Sequence, residues 1–150
     1  LEKPGLTPEG GTMNILVIDS QGGGIGKQLV PALKSAFPGC IVTAVGTNSI
    51  ATAAMHKAGA DHAATGENPV IVCCRNTDVI IGPVGIVIAD SMFGEITPAM
   101  ATAVGQSSAK KILIPVNQCN NLIAGVPDFS LSLLIRSVLE ELGKMQAEKS

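Results

Sequence analysis

The chain has no tyrosine, no tryptophan and only three phenylalanines among its 150 residues. Stacking of bases on aromatic side chains, which holds most single-stranded nucleic acid, is not available to it. Charge is also scarce, at 15% of residues with a formal net of −2, so no basic stripe exists to neutralise a phosphate backbone. Together the two shortages exclude nucleic-acid binding. No apolar run reaches the roughly 18 residues that span a bilayer, because Gly, Pro and Asn interrupt each one. The first twelve residues hold Pro4, Gly5, Pro8, Gly10 and Gly11 and no apolar core. They are expected to be a disordered extension or a remnant ahead of Met13, not a signal peptide.

What is abundant is apolar side chain, 46% of residues, which is more than a small polar skin can cover. A single domain over residues 13–150 with surplus apolar surface predicts a homo-oligomer. The four cysteines, Cys40, Cys73, Cys74 and Cys119, sit in or beside strand-like runs and form no loop framework. That usage fits a reducing cytoplasm.

Strand-like runs rich in Val, Ile and Leu occur at Asn14–Asp19, Cys40–Val45, Val70–Cys74, Asp78–Ile81, Lys111–Val116 and Asn121–Val126. Their continuous apolar character predicts strands buried on both faces of a parallel sheet. Between them, Ile25, Leu29, Val30, Leu33 and Phe37 recur at helical spacing, despite Pro31. Asn48 or Ser49 can cap an Ala-rich helix ending at Gly59, and Gly85–Phe93 reads as a short helix. Thr97-Pro98 opens another helix, and Leu131, Leu134, Ile135, Val138 and Leu142 mark the last. The alternation predicts an α/β fold: a Rossmann-like, doubly wound, mostly parallel sheet in three α/β/α layers.

Candidate chemistry concentrates after the first strand, in Asp19-Ser20-Gln21-Gly22-Gly23-Gly24-Ile25-Gly26-Lys27. Glycines there permit positive φ and close approach of amide groups to an anion, and a helix N-terminus adds partial positive charge. The strict dinucleotide fingerprint fails, since its third glycine would be Lys27 or Leu29. The short-chain dehydrogenase version fits Gly24 and Gly26 but meets Ser20 first, and its catalytic tyrosine cannot exist here. Gly46-Thr47-Asn48, after the second strand, also lacks the acidic residue that binds an NAD ribose. A Walker A alignment on Gly26-Lys27 puts Gln28 where a magnesium-binding hydroxyl belongs, which argues against NTP hydrolysis. The competing reading is a tightly packed strand-to-helix turn with no ligand.

Other strands end in similar small, hydrogen-bonding loops, and in an open α/β sheet those ends converge on one edge. The candidate cofactor-binding set is therefore Asp19, Gln21, Gly22, Gly23, Gly24, Gly26, Lys27, Gly46, Thr47, Asn48, Thr65, Glu67, Gly82 and Asn117. Lys27 would supply a point charge to phosphate, and Asp19 would orient the loop, a ribose or a metal. Glu67 and Glu95 are loop carboxylates suited to general-base or ribose-binding roles. Cys119, in an Asn-rich loop, is a candidate ligand-contacting thiol, although packing is the commoner use. Cys73-Cys74 read as buried small hydrophobes, and His56 and His62 as surface or cap residues without metal spacing.

These residues resemble an uncharacterised bacterial family, a domain of unknown function common in anaerobic Firmicutes. The resemblance is carried by Val17-Ile18-Asp19 with Gln21 to Lys27, by Gly46 to Thr52, and by Ala64-Thr65-Gly66-Glu67-Asn68. Ile81-Gly82-Pro83, Gly94 to Pro98 and Ile114 to Asn120 continue it, so that it runs from Met13 to about Leu142. Gly is usual in that family where Ser20 stands here. The resemblance implies a Rossmann-like domain and brings no activity, substrate or catalytic residue. Three functions stay open: a binder of a nucleotide, dinucleotide or other small phosphorylated ligand, a small transferase or hydrolase acting on it with Asp19 or Glu67 as base, or a non-catalytic interaction subunit.

Overall fold

A computed structural model describes residues 12–116 and 120–148. Five strands alternate with helices: β1 (Asn14–Asp19), α1 (Gly24–Ala36), β2 (Ile41–Gly46), α2 (Ser49–Lys57), β3 (His62–Thr65), α3 (Glu67–Cys73), β4 (Val79–Pro83), α4 (Pro98–Gln106), β5 (Lys110–Ile114) and α5 (Leu131–Glu148). A short 3-10 turn, Val84–Val87, follows β4. The strand order is β3-β2-β1-β4-β5 and every pairing is parallel. This is the doubly wound, Rossmann-like α/β arrangement that the sequence predicts.

Side chains that alternate along β1 feed two cores. Ile15 and Val17 pack with Leu29, Leu33, Leu134, Val138 and Leu142 of α1 and α5. Leu16 and Ile18 pack with Val70, Ile86, Met100 and Val104 on the opposite face. A central strand buried on both sides has no polar face to show, which is why its sequence reads as an unbroken apolar run. Pro31 lies inside α1 on its exposed face, away from the buried stripe of Ile25, Leu29, Val30 and Leu33.

Three expected elements differ. Val70–Cys74 is not a strand; most of it lies in α3, where Pro69 occupies the first helical turn and Val70 and Cys74, one turn apart, are both buried. The third strand is instead His62–Thr65, an edge strand of four largely exposed residues with no apolar run to betray it. Asn121–Val126 is not a strand either, since Gly125 at φ +79° breaks any extended run and Leu122 is 95% exposed. The expected helix at Gly85–Phe93 reduces to the 3-10 turn and a left-handed reversal described below. Residues 1–11, most of the expected extension, lie outside the described residues. Among the described residues no helix is long and apolar enough to cross a membrane.

Candidate functional site

β1 is flanked by β2 on one side and β4 on the other, so the chain leaves the sheet in opposite directions at their carboxyl ends. That divergence opens a crevice in doubly wound sheets. Asp19 closes β1 there and is buried. Its Oδ1 accepts from the Ser20 amide at 2.8 Å and its Oδ2 from the Gly26 amide at 2.7 Å. Gly23 caps α1 with no side-chain bond and no acidic residue stands in the first turn, so Asp19 reaches across from the strand to satisfy the helix start. Burial pushes its carboxyl pKa above the ordinary value of 3.8, against the pull of the Gly26, Ser20 and Ile25 amides and with a further push from Glu95.

The loop glycines divide into two kinds. Gly23 is left-handed at φ +73°, and a Cβ on it would lie 2.9 Å from the Ala51 backbone of α2. A Cβ on Gly26 would sit inside Met55, a side chain with no exposed surface. Both let α1 press against α2. Gly22 and Gly24, by contrast, are exposed and a Cβ on either meets nothing within 4 Å. Ser20 does not carry a positive φ; Gln21, at φ +53°, takes that burden in its place.

Sequence reading missed how the far side of the loop is built. Between the 3-10 turn and α4 the chain is left-handed at Asp90, Met92, Phe93 and Gly94, with φ of +63°, +55°, +57° and +83°. The reversal is laced by Asp90 N to Ile96 O at 2.7 Å and by the Ser91 hydroxyl donating to Gly85 O at 2.5 Å. Met92 is buried and its sulfur accepts from the Ser20 hydroxyl, while Phe93 is wholly exposed at the tip. This strap delivers Glu95 to the crevice. Glu95 Oε1 accepts from the Gln21 amide at 2.8 Å, Thr47 Oγ1 at 2.6 Å and Asn48 Nδ2 at 2.8 Å. Desolvation raises its pKa, but the bonds from Thr47, Gln21 and Asn48 prevail and hold it below the ordinary 4.5. The carboxylate absent from β2 is thus supplied at its end by a segment 47 residues away from Asn48 in sequence.

Asn48 also caps α2 by accepting from Ala51 N and donates to Gln21 O, which fastens the β2 loop to the glycine loop. Gly46 ends β2, where a Cβ would collide with the Thr52 backbone nitrogen at 2.5 Å. Thr65 bonds Thr52 Oγ1 at 2.6 Å, and Glu67 accepts from Thr97 Oγ1 at 2.6 Å, so both lie one loop farther out than the Glu95 cluster. Gly82 lies within β4 and not in the loop after it, where a Cβ would press on Ile18 O at 2.5 Å. Lys27 is exposed on α1, while Asn117 and Cys119 lie outside the described residues. Of the other thiols, Cys40 and Cys74 are buried and Cys73 partly so, and burial pushes all three up, Cys74 to about 11. Such thiols are protonated and inert.

A concavity of about 700 Å³ lies elsewhere, between α3 and α4, bordered by Ile71, Arg75, Thr102 and Gln106. It holds none of the candidate residues and no carboxylate. Convergent polar groups, not volume, single out the carboxyl edge. Among the described residues no three His, Cys, Asp or Glu side chains are placed to hold a metal.

A family model described as a domain of unknown function, DUF3842, matches residues 14–147. No curated protein matches the chain. A solved structure described as a dodecameric FMN-dependent Ubix-like decarboxylase from Escherichia coli O157:H7 aligns with 87% of this chain and 76% of that one, at 20% identity and a TM-score of 0.44. A likeness that distant brings neither flavin, reaction nor assembly to this chain.

Proposed function

The chain belongs to the DUF3842 family, whose description names no activity, and from its own residues we propose that it binds a nucleotide or another phosphorylated small molecule at the carboxyl edge. One observation carries the reading: at the carboxyl edge, the Gln21 amide, next to exposed Gly22 and Gly24, and the Thr47-Asn48 loop converge on one carboxylate oxygen of Glu95. Phosphate would lie on the Gly22 and Gly24 backbone at the mouth of α1, since the Gly26 amide is taken by Asp19, with Lys27 as counter-charge. Asp19 forms the floor, with both oxygens engaged by backbone amides. Gly23, Gly26, Gly46 and Gly82 serve by letting the walls approach. Thr65 and Glu67 would line the outer part of the same edge.

Gly24→Asp tests this without disturbing the fold. Its side chain enters open space, and an acid in a first helical turn is itself favourable. In a thermal-shift series with nucleotides and sugar phosphates, each with and without magnesium, a ligand at a hundred times its Kd adds about 2.7 kcal/mol to the native chain. Gly24→Asp and Lys27→Ala should lose that shift while melting normally alone. No shift with any compound would sink the reading in favour of an interaction subunit with structural glycines.

Self-association is a second reading, supported by large apolar side chains left exposed. Phe93 is 100% exposed, Leu122 95% and Ile50 69%. Joined in one patch, such residues would favour a homo-oligomer. Sedimentation equilibrium of the native chain and of Phe93→Ser with Leu122→Ser decides it; a native monomer refutes self-association.

A further inference from the structure

We infer that Glu95 reads the ribose of the bound nucleotide, so that the site takes ribonucleotides with a free 2′,3′-diol and rejects 2′-deoxy and 2′-phosphorylated forms. The inference rests on the nucleotide reading above and adds a substrate class to it.

Doubly wound sheets that bind dinucleotides place an acid at the end of the second strand, where it accepts from ribose hydroxyls while the neighbouring glycine loop holds phosphate. Here β2 ends in Gly46-Thr47-Asn48 without an acid, yet the Glu95 carboxylate occupies that position, bonded to both Thr47 and Asn48. The same oxygen holds the Gln21 amide, so the carboxylate also touches the glycine loop. Three donors exhaust Oε1, so that ribose hydroxyls would be accepted by Oε2.

The placement is built and not incidental. Four left-handed residues in five positions, two of them the bulky Met92 and Phe93, are costly backbone that persists only when surroundings fix it. Buried Met92 on Ser20, the Ser91 bond to Gly85 O and the Asp90–Ile96 bond fix it here. A glutamate held so firmly loses little freedom when a ligand arrives, which favours directional recognition. A 2′-phosphate would bring like charge against it, and a 2′-deoxyribose would leave its free oxygen without one donor.

The probes are matched pairs: ATP with dATP, GTP with dGTP, and NAD⁺ with NADP⁺, titrated by calorimetry into the native chain, Glu95→Gln, Glu95→Ala and Lys27→Ala. The native chain should prefer the free-diol member by about tenfold or more, the scale of one charge-assisted hydrogen bond. Glu95→Ala should bring each ratio close to one. Glu95→Gln, which keeps the shape and removes the charge, should relax the rejection of NADP⁺ most. Melting of each unliganded variant shows that the fold is kept. Native ratios near one, or ratios unchanged in Glu95→Ala, overturn the ribose role. If binding is still abolished by Lys27→Ala, the nucleotide reading survives that result. Absence of binding by every probe overturns both.

Discussion

Asp19 and Glu95 meet the glycine loop from opposite sides, and they do so in opposite ways. Asp19 is buried, bonds backbone amides one and seven residues away, and is pushed toward its neutral form by burial. Glu95 is half-exposed, bonds groups 47, 48 and 74 residues away, and is held toward its charged form. The first resembles an internal cap that closes the start of a helix. The second is a charged group brought to an open crevice at the expense of left-handed backbone. Floor and strap therefore answer to different demands: folding for one and, in the function proposed above, ligand for the other.

Removing the floor should have the largest effect. Asp19→Ala leaves the Ser20 and Gly26 amides without their acceptor, at about 1–3 kcal/mol for each donor that water cannot reach. Urea unfolding should show a loss of about 3 kcal/mol. If the loss is under about 1 kcal/mol, Asp19 is not the floor and the contrast with Glu95 collapses. Glu95→Ala should cost less than about 1 kcal/mol, because its donors lie where solvent can replace the carboxylate.

Next in size is the split among glycines. Gly26→Ala must displace Met55 from a packed core, which should destabilise by about 2 kcal/mol. Gly24→Ala enters open space in the first turn of α1 and should change stability by no more than about 0.5 kcal/mol. Equal losses at both positions would show that the whole loop is packing and that no part of it is kept open.

The contrast also explains what the sequence could reveal. β1, α1, α2, α4 and α5 were legible because burial on one helical stripe, or on both faces of a strand, leaves a pattern within the element itself. The glycine loop was legible for the same reason, as a local turn. β3 was not, since an edge strand of His62, Ala63, Ala64 and Thr65 buries little. α3 was misread because β-branched Val70, Ile71 and Val72 imitate a strand, and only Pro69 at its first turn hints otherwise. Glu95 could be flagged as a loop carboxylate, yet its position beside Thr47 depends on the order of β2 and β4 around β1, which no local window contains. The left-handed run is similarly quiet: Asp90 and Gly94 at its ends are types that tolerate positive φ, but Met92 and Phe93 between them are not.

The smallest effect, and the sharpest in sign, is the pH dependence. Asp19 has a folded pKa above its unfolded 3.8, so the folded chain keeps a proton that the unfolded chain has lost. Its contribution is full below 3.8 and fades as pH rises through the folded value. Glu95 has a folded pKa below its unfolded 4.5, so its contribution is full above 4.5 and fades as pH falls through the folded value. The stability difference between the native chain and Asp19→Asn should therefore grow as pH drops from 7 to 3.5, whereas the difference from Glu95→Gln should shrink over the same interval. Asp61, held low by Lys34 Nζ at 2.8 Å and by the Val42 amide, follows Glu95 in sign but belongs to the opposite edge of the sheet and is common to both comparisons. It cancels in each difference. Two difference curves of the same slope would mean that the carboxylates share one environment, and that the separation of floor from strap is wrong.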